Sequence, residues 1–281
     1  MGALDRIDDW PVPTASACIV SVVNGVPTTV AVRGESTHHF RIASLSKVIT
    51  SLAIMVAVEE GSVDLDQPMV STGVPDGCTM RHLLAHASGL PFDGSDAIAP
   101  LEHRRIYSNT GIELAAAETE RLTGMNFGDY LREAVIEPLG LRHTELRGSP
   151  AYGIWSTVDD MSLLLGELLR PSLIASSTHA EMTSVQYPTL DGIVPGIGAF
   201  HPCPWGLGVE LHGDKHPHWM GSANSPATFG HFGGAGTMMW VDPHAGVALT
   251  ALTDLPFDQW SEVAARLWRE LSDAVIAEVS A

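Results

Sequence analysis

At 281 residues, 45% hydrophobic and with a formal charge of −18, the chain can bury a full core and makes a poor partner for nucleic acid, whose binders need basic surface. Its three cysteines, Cys18, Cys78 and Cys203, are odd in number and far apart, which argues against a disulfide framework or a thiolate zinc site and leaves them as small buried hydrophobes. The acidic N-terminus does not read as a leader and no apolar run is long enough to span a bilayer, so a cytoplasmic protein without membrane contact is expected.

Residues 15–24 and 27–33, rich in Val, Ile and Thr around Asn24-Gly25, predict a β-hairpin, since Asn-Gly is the strongest short hairpin signal. His39-Phe-Arg-Ile42 leads into a run, Val48 to Val58, that is apolar almost all round. Such a run predicts a helix buried on every side, ended by Gly61. From about 64 to 150 the pattern changes to short helices punctuated by Pro and Gly. Thr79 caps one through Leu83, Leu84 and His86; Asn109 or Thr110 opens a second, stopped by Gly124; Asn126 opens a third, ending before Pro138. After Pro150, Ser156-Thr157 starts a helix to about Leu169. A loop-rich stretch follows, then strands at Trp205–Leu211, Gly236–Val241 and Gly246–Leu252, and a closing amphipathic helix over about 258–279. This order predicts an α/β (α+β) protein, an antiparallel sheet flanked by helices with an inserted helical subdomain. The sheet domain takes 1–66 and 150–281, and the insertion 67–149.

The buried helix carries a charge at its head, Lys47, in a chain with only two lysines against thirteen arginines. Burial disfavours an ammonium and lowers its pKa, which is how a lysine becomes a base near neutral pH. Ser44 lies three residues earlier, on the same face if the turn is helical, with its amide among the unpaired donors of the helix start. On its own Ser-x-x-Lys is a weak pattern, equally read as an N-cap serine before a snorkelling lysine.

Two further short phrases change its weight. Ser44-Leu-Ser-Lys47, Tyr107-Ser-Asn109 and His231-Phe-Gly233, in that order, resemble the three motifs of the serine β-lactamase and penicillin-binding-protein-like hydrolases, and most closely the branch of class C β-lactamases with related esterases and D-amino-acid peptidases. His82-Leu-Leu-Ala-His-Ala-Ser-Gly-Leu-Pro91, Pro138-Leu-Gly-Leu-Arg-His-Thr144, Gly153-Ile-Trp-Ser-Thr-Val-Asp-Asp-Met161 and Trp205-Gly-Leu-Gly208 are similar to that branch too, so the likeness runs from about residue 40 to 255. It implies a β-lactamase/transpeptidase-like fold. It also implies catalysis by Ser44 as nucleophile with Lys47 and Tyr107 as proton acceptors, and Asn109 holding Lys47 or a substrate carbonyl. A neighbouring lysine cation would lower the tyrosine pKa, and the two groups would titrate as a coupled pair. The amides of Ser44 and Gly234 become the oxyanion donors, with His231 and Gly233 facing substrate on a glycine-rich edge strand.

The third motif departs from the β-lactamase pattern of Lys-Thr/Ser-Gly. With His231 and Phe232 there, two groups suited to a substrate carboxylate are gone, which predicts small esters or lactones over penicillins. A β-lactamase, a D-amino-acid peptidase or acyltransferase, and a non-catalytic binder of the same fold remain alternatives. If neutral His231 is required, activity fades at mildly acidic pH. No Gly-x-Ser-x-Gly occurs, against an α/β-hydrolase. His212-Gly-Asp-Lys-His-Pro-His218 offers metal ligands, but Gly213 and Pro217 deny it a helix and its histidines read as solvated, so no metal and no other cofactor is expected; the partner is a small-molecule substrate. The loop 214–228 reads as a wall or lid over the pocket, with Trp205 and Trp219 able to line it and Trp205 the more suited to core packing.

Overall fold

A computed structural model describes residues 2–71 and 73–280. The chain opens with a 3-10 turn, Ala3–Asp9, and then forms the expected hairpin of β1 (Ala15–Val23) and β2 (Val26–Arg33). Asn24 and Gly25 both adopt positive φ, 53° and 82°, the geometry whose twist matches that of the two strands. The two-residue β3 (Phe40–Arg41) leads through a 3-10 turn, Ala43–Leu45, into α1 (Ser46–Glu59). Every α1 residue from Ser46 to Met55 is buried, and Gly61, at φ 74°, turns the chain away after it.

Three short helices follow, α2 (Met80–Leu84), α3 (Asn109–Thr123) and α4 (Phe127–Leu131), the last continued by a π turn to Ile136. Thr79 and Asn126 cap α2 and α4 as expected, but the cap of α3 is Ser108, whose Oγ accepts from the Gly111 amide at 2.9 Å. Asn109, freed from capping, becomes the first helical residue. His86 lies beyond the end of α2 at φ 56°. β4 (Glu145–Leu146) and β5 (Ile154–Ser156) join β3 in a small sheet, and α5 (Val158–Leu169) starts on its Thr157 cap.

The stretch read as loop contains α6 (Ser176–Thr183) and a hairpin of β6 (Gly192–Val194) and β7 (Gly198–Phe200). Trp205–Leu211 is not one strand. Only β8 (Glu210–Leu211) joins the main sheet, and Trp205 doubles back to a single bridge with Glu210, because Gly208, at φ 76°, folds back onto α1, where an added Cβ would collide with Ser51 Oγ. β9 (Phe229–Gly233), β10 (Thr237–Asp242), β11 (Val247–Thr253) and α7 (Ser261–Val279) complete the chain.

The main sheet runs β2-β1-β11-β10-β9-β8, with neighbouring strands antiparallel. Strand alternation divides its residues between two cores. Ala17, Ile19, Met238, Trp240, Leu249 and Ala251 pack with α7 and the N-terminal turn, whereas Cys18, Val20, Met239, Val241, Ala248 and Leu252 join α1, α5 and the short helices. His231 pairs with Met239, and so points to the α1 face. β8 covers β9 only at Phe229 and Gly230, leaving 231–233 as open edge. This is the fold class the sequence predicted: an antiparallel sheet with α7 on one face and helices 46–183 on the other.

Candidate active site

Ser44 sits in the turn ahead of α1, and Lys47 is the second residue of the helix, with none of its surface exposed. Lys47 Nζ lies 3.2 Å from Ser44 Oγ, 2.7 Å from Asn109 Oδ1 and 2.9 Å from the Ala151 carbonyl. The Asn109 amide is oriented by Asp93, whose carboxylate accepts from Nδ2 at 3.1 Å. Two of the three lysine partners can therefore only accept. Once the ammonium loses a proton, its two remaining N–H groups stay with Asn109 and Ala151, and its lone pair faces the Ser44 hydroxyl. Burial pulls the amine down to about 7, against the raising influence of the Glu113 and Asp93 carboxylates, so the neutral form is well populated near neutral pH.

Tyr107 brings its ring within 4.7 Å of Lys47 Nζ and its hydroxyl within 3.4 Å of His231 Nε2. The expected lowering of the phenol is not found. Burial pushes Tyr107 above its ordinary value, the Ser44 hydroxyl opposes this and Glu210 reinforces it, so a protonated phenol is the resting form. His231 also departs from expectation, because burial and then the Lys47 charge pull it down to about 3. It is neutral throughout the range in which it was expected to titrate, and a loss of activity at mildly acidic pH cannot come from it. Its Nδ1 is 2.6 Å from the Phe232 carbonyl, which only accepts; the proton is on Nδ1, and Nε2 receives the Tyr107 hydroxyl.

Gly233 is held to glycine by the close approach of β9 to the serine turn: a Cβ there would meet the Ile42 carbonyl at 2.6 Å. Gly234 has open space on its Cβ side and lines the cavity in front of Ser44. Of the seven residues singled out in the sequence, Ser44, Tyr107, His231 and Gly234 line one cleft, Lys47 and Asn109 are bonded in series behind Ser44, and Gly233 packs against the turn that bears it. Among the described residues no three His, Cys, Asp or Glu side chains cluster as metal ligands, and no helix is long and apolar enough to cross a membrane.

Residues 22–272 match the family described as Beta-lactamase. The chain belongs to the Beta-lactamase family. A crystal structure of a beta-lactamase from Mycobacterium bovis superposes with a TM-score of 0.93 at 45% identity, over 99% of this chain and all of that one. EstCE1, described as a hydrolase with promiscuous acyltransferase activity, shares the fold at a TM-score of 0.77 and 18% identity, covering 98% of this chain and 96% of its own. Penicillin-binding protein 4* of Bacillus subtilis strain 168 is 30% identical over 136 residues, 38% of this chain and 30% of its own length. The chain spans about a third to a half of the length of the first curated relatives it matches. The fold is that of this family of serine hydrolases.

Within this Beta-lactamase family fold, a cavity of about 470 Å³ opens in front of Ser44 between Tyr107, Trp205, His231, Phe232, Gly234 and Phe257. Its remaining wall is Phe92, the β6–β7 turn at Val194–Gly196, and Asp258, Ser261 and Glu262 around the start of α7. Residues 214–228 do not line it, contrary to the expectation of a lid. They fold instead around buried Glu210, which accepts from Lys215 at 2.5 Å, His218 at 2.8 Å and the Trp219 indole at 2.8 Å. Burial opposes the Glu210 charge, but Lys215 and His218 outweigh it and hold the carboxyl well below the usual range. These histidines were read as solvated. His218 is instead a core group, while Trp219 packs on Phe232 and Trp205 lines the cavity.

Sequence reasoning missed Asp93, the Ala151 carbonyl, Phe92 and His86. Asp93 and Phe92 directly follow the phrase ending at Pro91, and that adjacency was the available signal. Buried His86 accepts the Ser108 amide on Nδ1 at 3.2 Å, which fixes the segment that presents Tyr107 just ahead of α3. Ala151 acts through its backbone, and nothing in its side chain signals that.

Proposed function

We propose that this protein is a serine hydrolase that carries an acyl group on Ser44, with small neutral esters or lactones as substrates. The reading rests above all on Lys47, a fully buried amine with no carboxylate in ion-pair contact among the described residues and a lone pair aimed at the Ser44 hydroxyl. Ser44 Oγ attacks the carbonyl carbon as its proton passes to Lys47, and the Ser44 and Gly234 amides receive the developing oxyanion. The alcohol oxygen then takes a proton from Lys47, directly or through the Tyr107 hydroxyl. Water repeats the sequence on the acyl-enzyme and releases the acid.

Charge supports the neutral substrate. The ionisable groups at the cavity rim are Asp258 and Glu262, both acidic, and the third motif presents neutral His231 and Phe232 where the β-lactamase pattern has a cation and a hydroxyl. A substrate carboxylate finds repulsion there and no partner. Fluorophosphonate labelling followed by intact mass tests the nucleophile: one adduct on the wild type and none on Ser44→Ala is expected, and an unlabelled native protein favours a non-catalytic binder. A β-lactamase is the second reading, favoured by the description of the Mycobacterium bovis neighbour. Nitrocefin turnover matching that of p-nitrophenyl acetate would overturn the ester preference.

A further inference from the structure

A second cavity, about 550 Å³, adjoins the first across a shared wall of Phe92, Tyr107 and Pro195. Ile106, Ile193 and Ala199 extend its apolar lining, and Arg104, Asp191 and His201 stand at its rim. Asp191 and His201 are occupied with each other at 2.9 Å. Phe92 is 50% exposed and Ile193 63%, two large apolar side chains left in solvent at the mouth of the same cavity. Its other boundary is held firmly. Arg105 is buried and donates to the backbone carbonyls of Ala85 and of Gln186, Tyr187 and Cys203 on either side of the β6–β7 hairpin, while its own backbone bridges Gly192, tying the hairpin to the segment that bears Tyr107.

The division of labour follows from which atoms stay bonded to Ser44. In the acylation step the Ser44 Oγ–carbon bond forms and the carbon–alcohol oxygen bond breaks, so the acyl group must fit the cavity that Ser44 itself lines. The departing oxygen must lie within proton reach of Tyr107 and Lys47. What hangs from it therefore has the far side of Tyr107 open to it, and that side is the second cavity. We infer that the cavity lined by Phe92, Ile106, Ile193 and Ala199 is a leaving-group subsite that takes the bulky apolar alcohol portion of an ester. A volume in the range of about 300–1,000 Å³ suits a group of bicyclic size. The inference rests on the acyl-enzyme reading above.

The test compares two acetates whose alcohols have similar acidity but different bulk, ethyl acetate and 2-naphthylmethyl acetate, followed by pH-stat in the wild type, Ile193→Trp and Ala199→Trp. Both substitutions fill the cavity from exposed hairpin positions away from Ser44. The wild type is expected to prefer the naphthylmethyl ester by at least about tenfold in kcat/KM, the worth of burying part of one aromatic group. Either Trp variant is expected to abolish that preference with ethyl acetate turnover unchanged. Equal kcat/KM for the two esters in the wild type, failure to cleave the naphthylmethyl ester, or a parallel loss of both activities in both variants overturns the subsite. Fluorophosphonate labelling of the same preparations separates the two levels: with Ser44 labelled, such results remove only the subsite; without labelling, the acyl-enzyme itself is removed and the subsite with it.

Discussion

The two lysines of this chain are both buried, and they have been treated in opposite ways. Lys215 is neutralised where it stands, with Glu210 at 2.5 Å and His218 and Trp219 filling the remaining carboxylate positions. Lys47 receives carbonyl and hydroxyl oxygens instead, and the carboxylates that influence it, Glu113 and Asp93, make no direct contact with its amine. A buried cation with a bonded anion serves packing; one without is driven toward losing its proton. The difference teaches that burial alone does not make a lysine a base. The choice of partner does.

The largest effect expected from breaking this contrast is on rate. Lys47→Met should lower kcat/KM for p-nitrophenyl acetate by about 10³-fold or more, the upper range for a proton-transfer group, while circular dichroism shows the fold retained. Loss of less than about tenfold would remove Lys47 from the proton path. The converse substitution, Lys215→Met, strikes stability instead. It leaves the Glu210 carboxylate buried without its lysine, and should cost about 3–5 kcal/mol in chemical denaturation. Because residues 210–219 lie behind Trp205, the folded fraction of that variant should still label at Ser44.

The same comparison gives a pH signature. Between about 7 and 10.5 the unfolded chain keeps a proton on Lys47 that the folded protein has lost, so this residue makes stability rise with pH across that window. Below it the folded protein bears the full cost of the buried ammonium. Lys47→Met should flatten the rise. Activity should climb with pH along a limb centred near 7, as the amine becomes available as a base, and no separate limb should arise from His231, already neutral above about 3. The smallest effect is a shift of that limb. Glu113 raises the Lys47 pKa, so Glu113→Gln, which keeps an oxygen for the Ser149 hydroxyl, should move the limb to lower pH.

Much of this arrangement was legible from local pattern. An apolar run with no wet face could only be a helix inside a core, and Asn24-Gly25 fixed the first hairpin. Ser44 and Lys47, three residues apart, needed only one turn to meet. Tyr107, Asn109 and His231 came through motif order, since no periodicity joins positions 62 and 124 residues distant from their partners. The walls were not legible. Val194–Gly196 and Phe92 become a cavity only when Arg105 ties the chain segments together, and a lone arginine bonded to carbonyls leaves no pattern. The histidines of 212–218 read as solvated because the burial of that loop around Glu210 depends on β9 and α7, distant in sequence. The protonation of Tyr107 likewise depended on an enclosure that motif spacing does not reveal.

With only two lysines, the ε-carbons can be labelled with ¹³C and followed as two resonances, and Lys47→Met identifies which one is Lys47. That resonance is expected to titrate with a midpoint near 7 in the folded protein. If it instead keeps its ammonium shift until above about pH 10, as a lysine in water does, then the buried amine is no base and the acyl-enzyme reading loses its foundation.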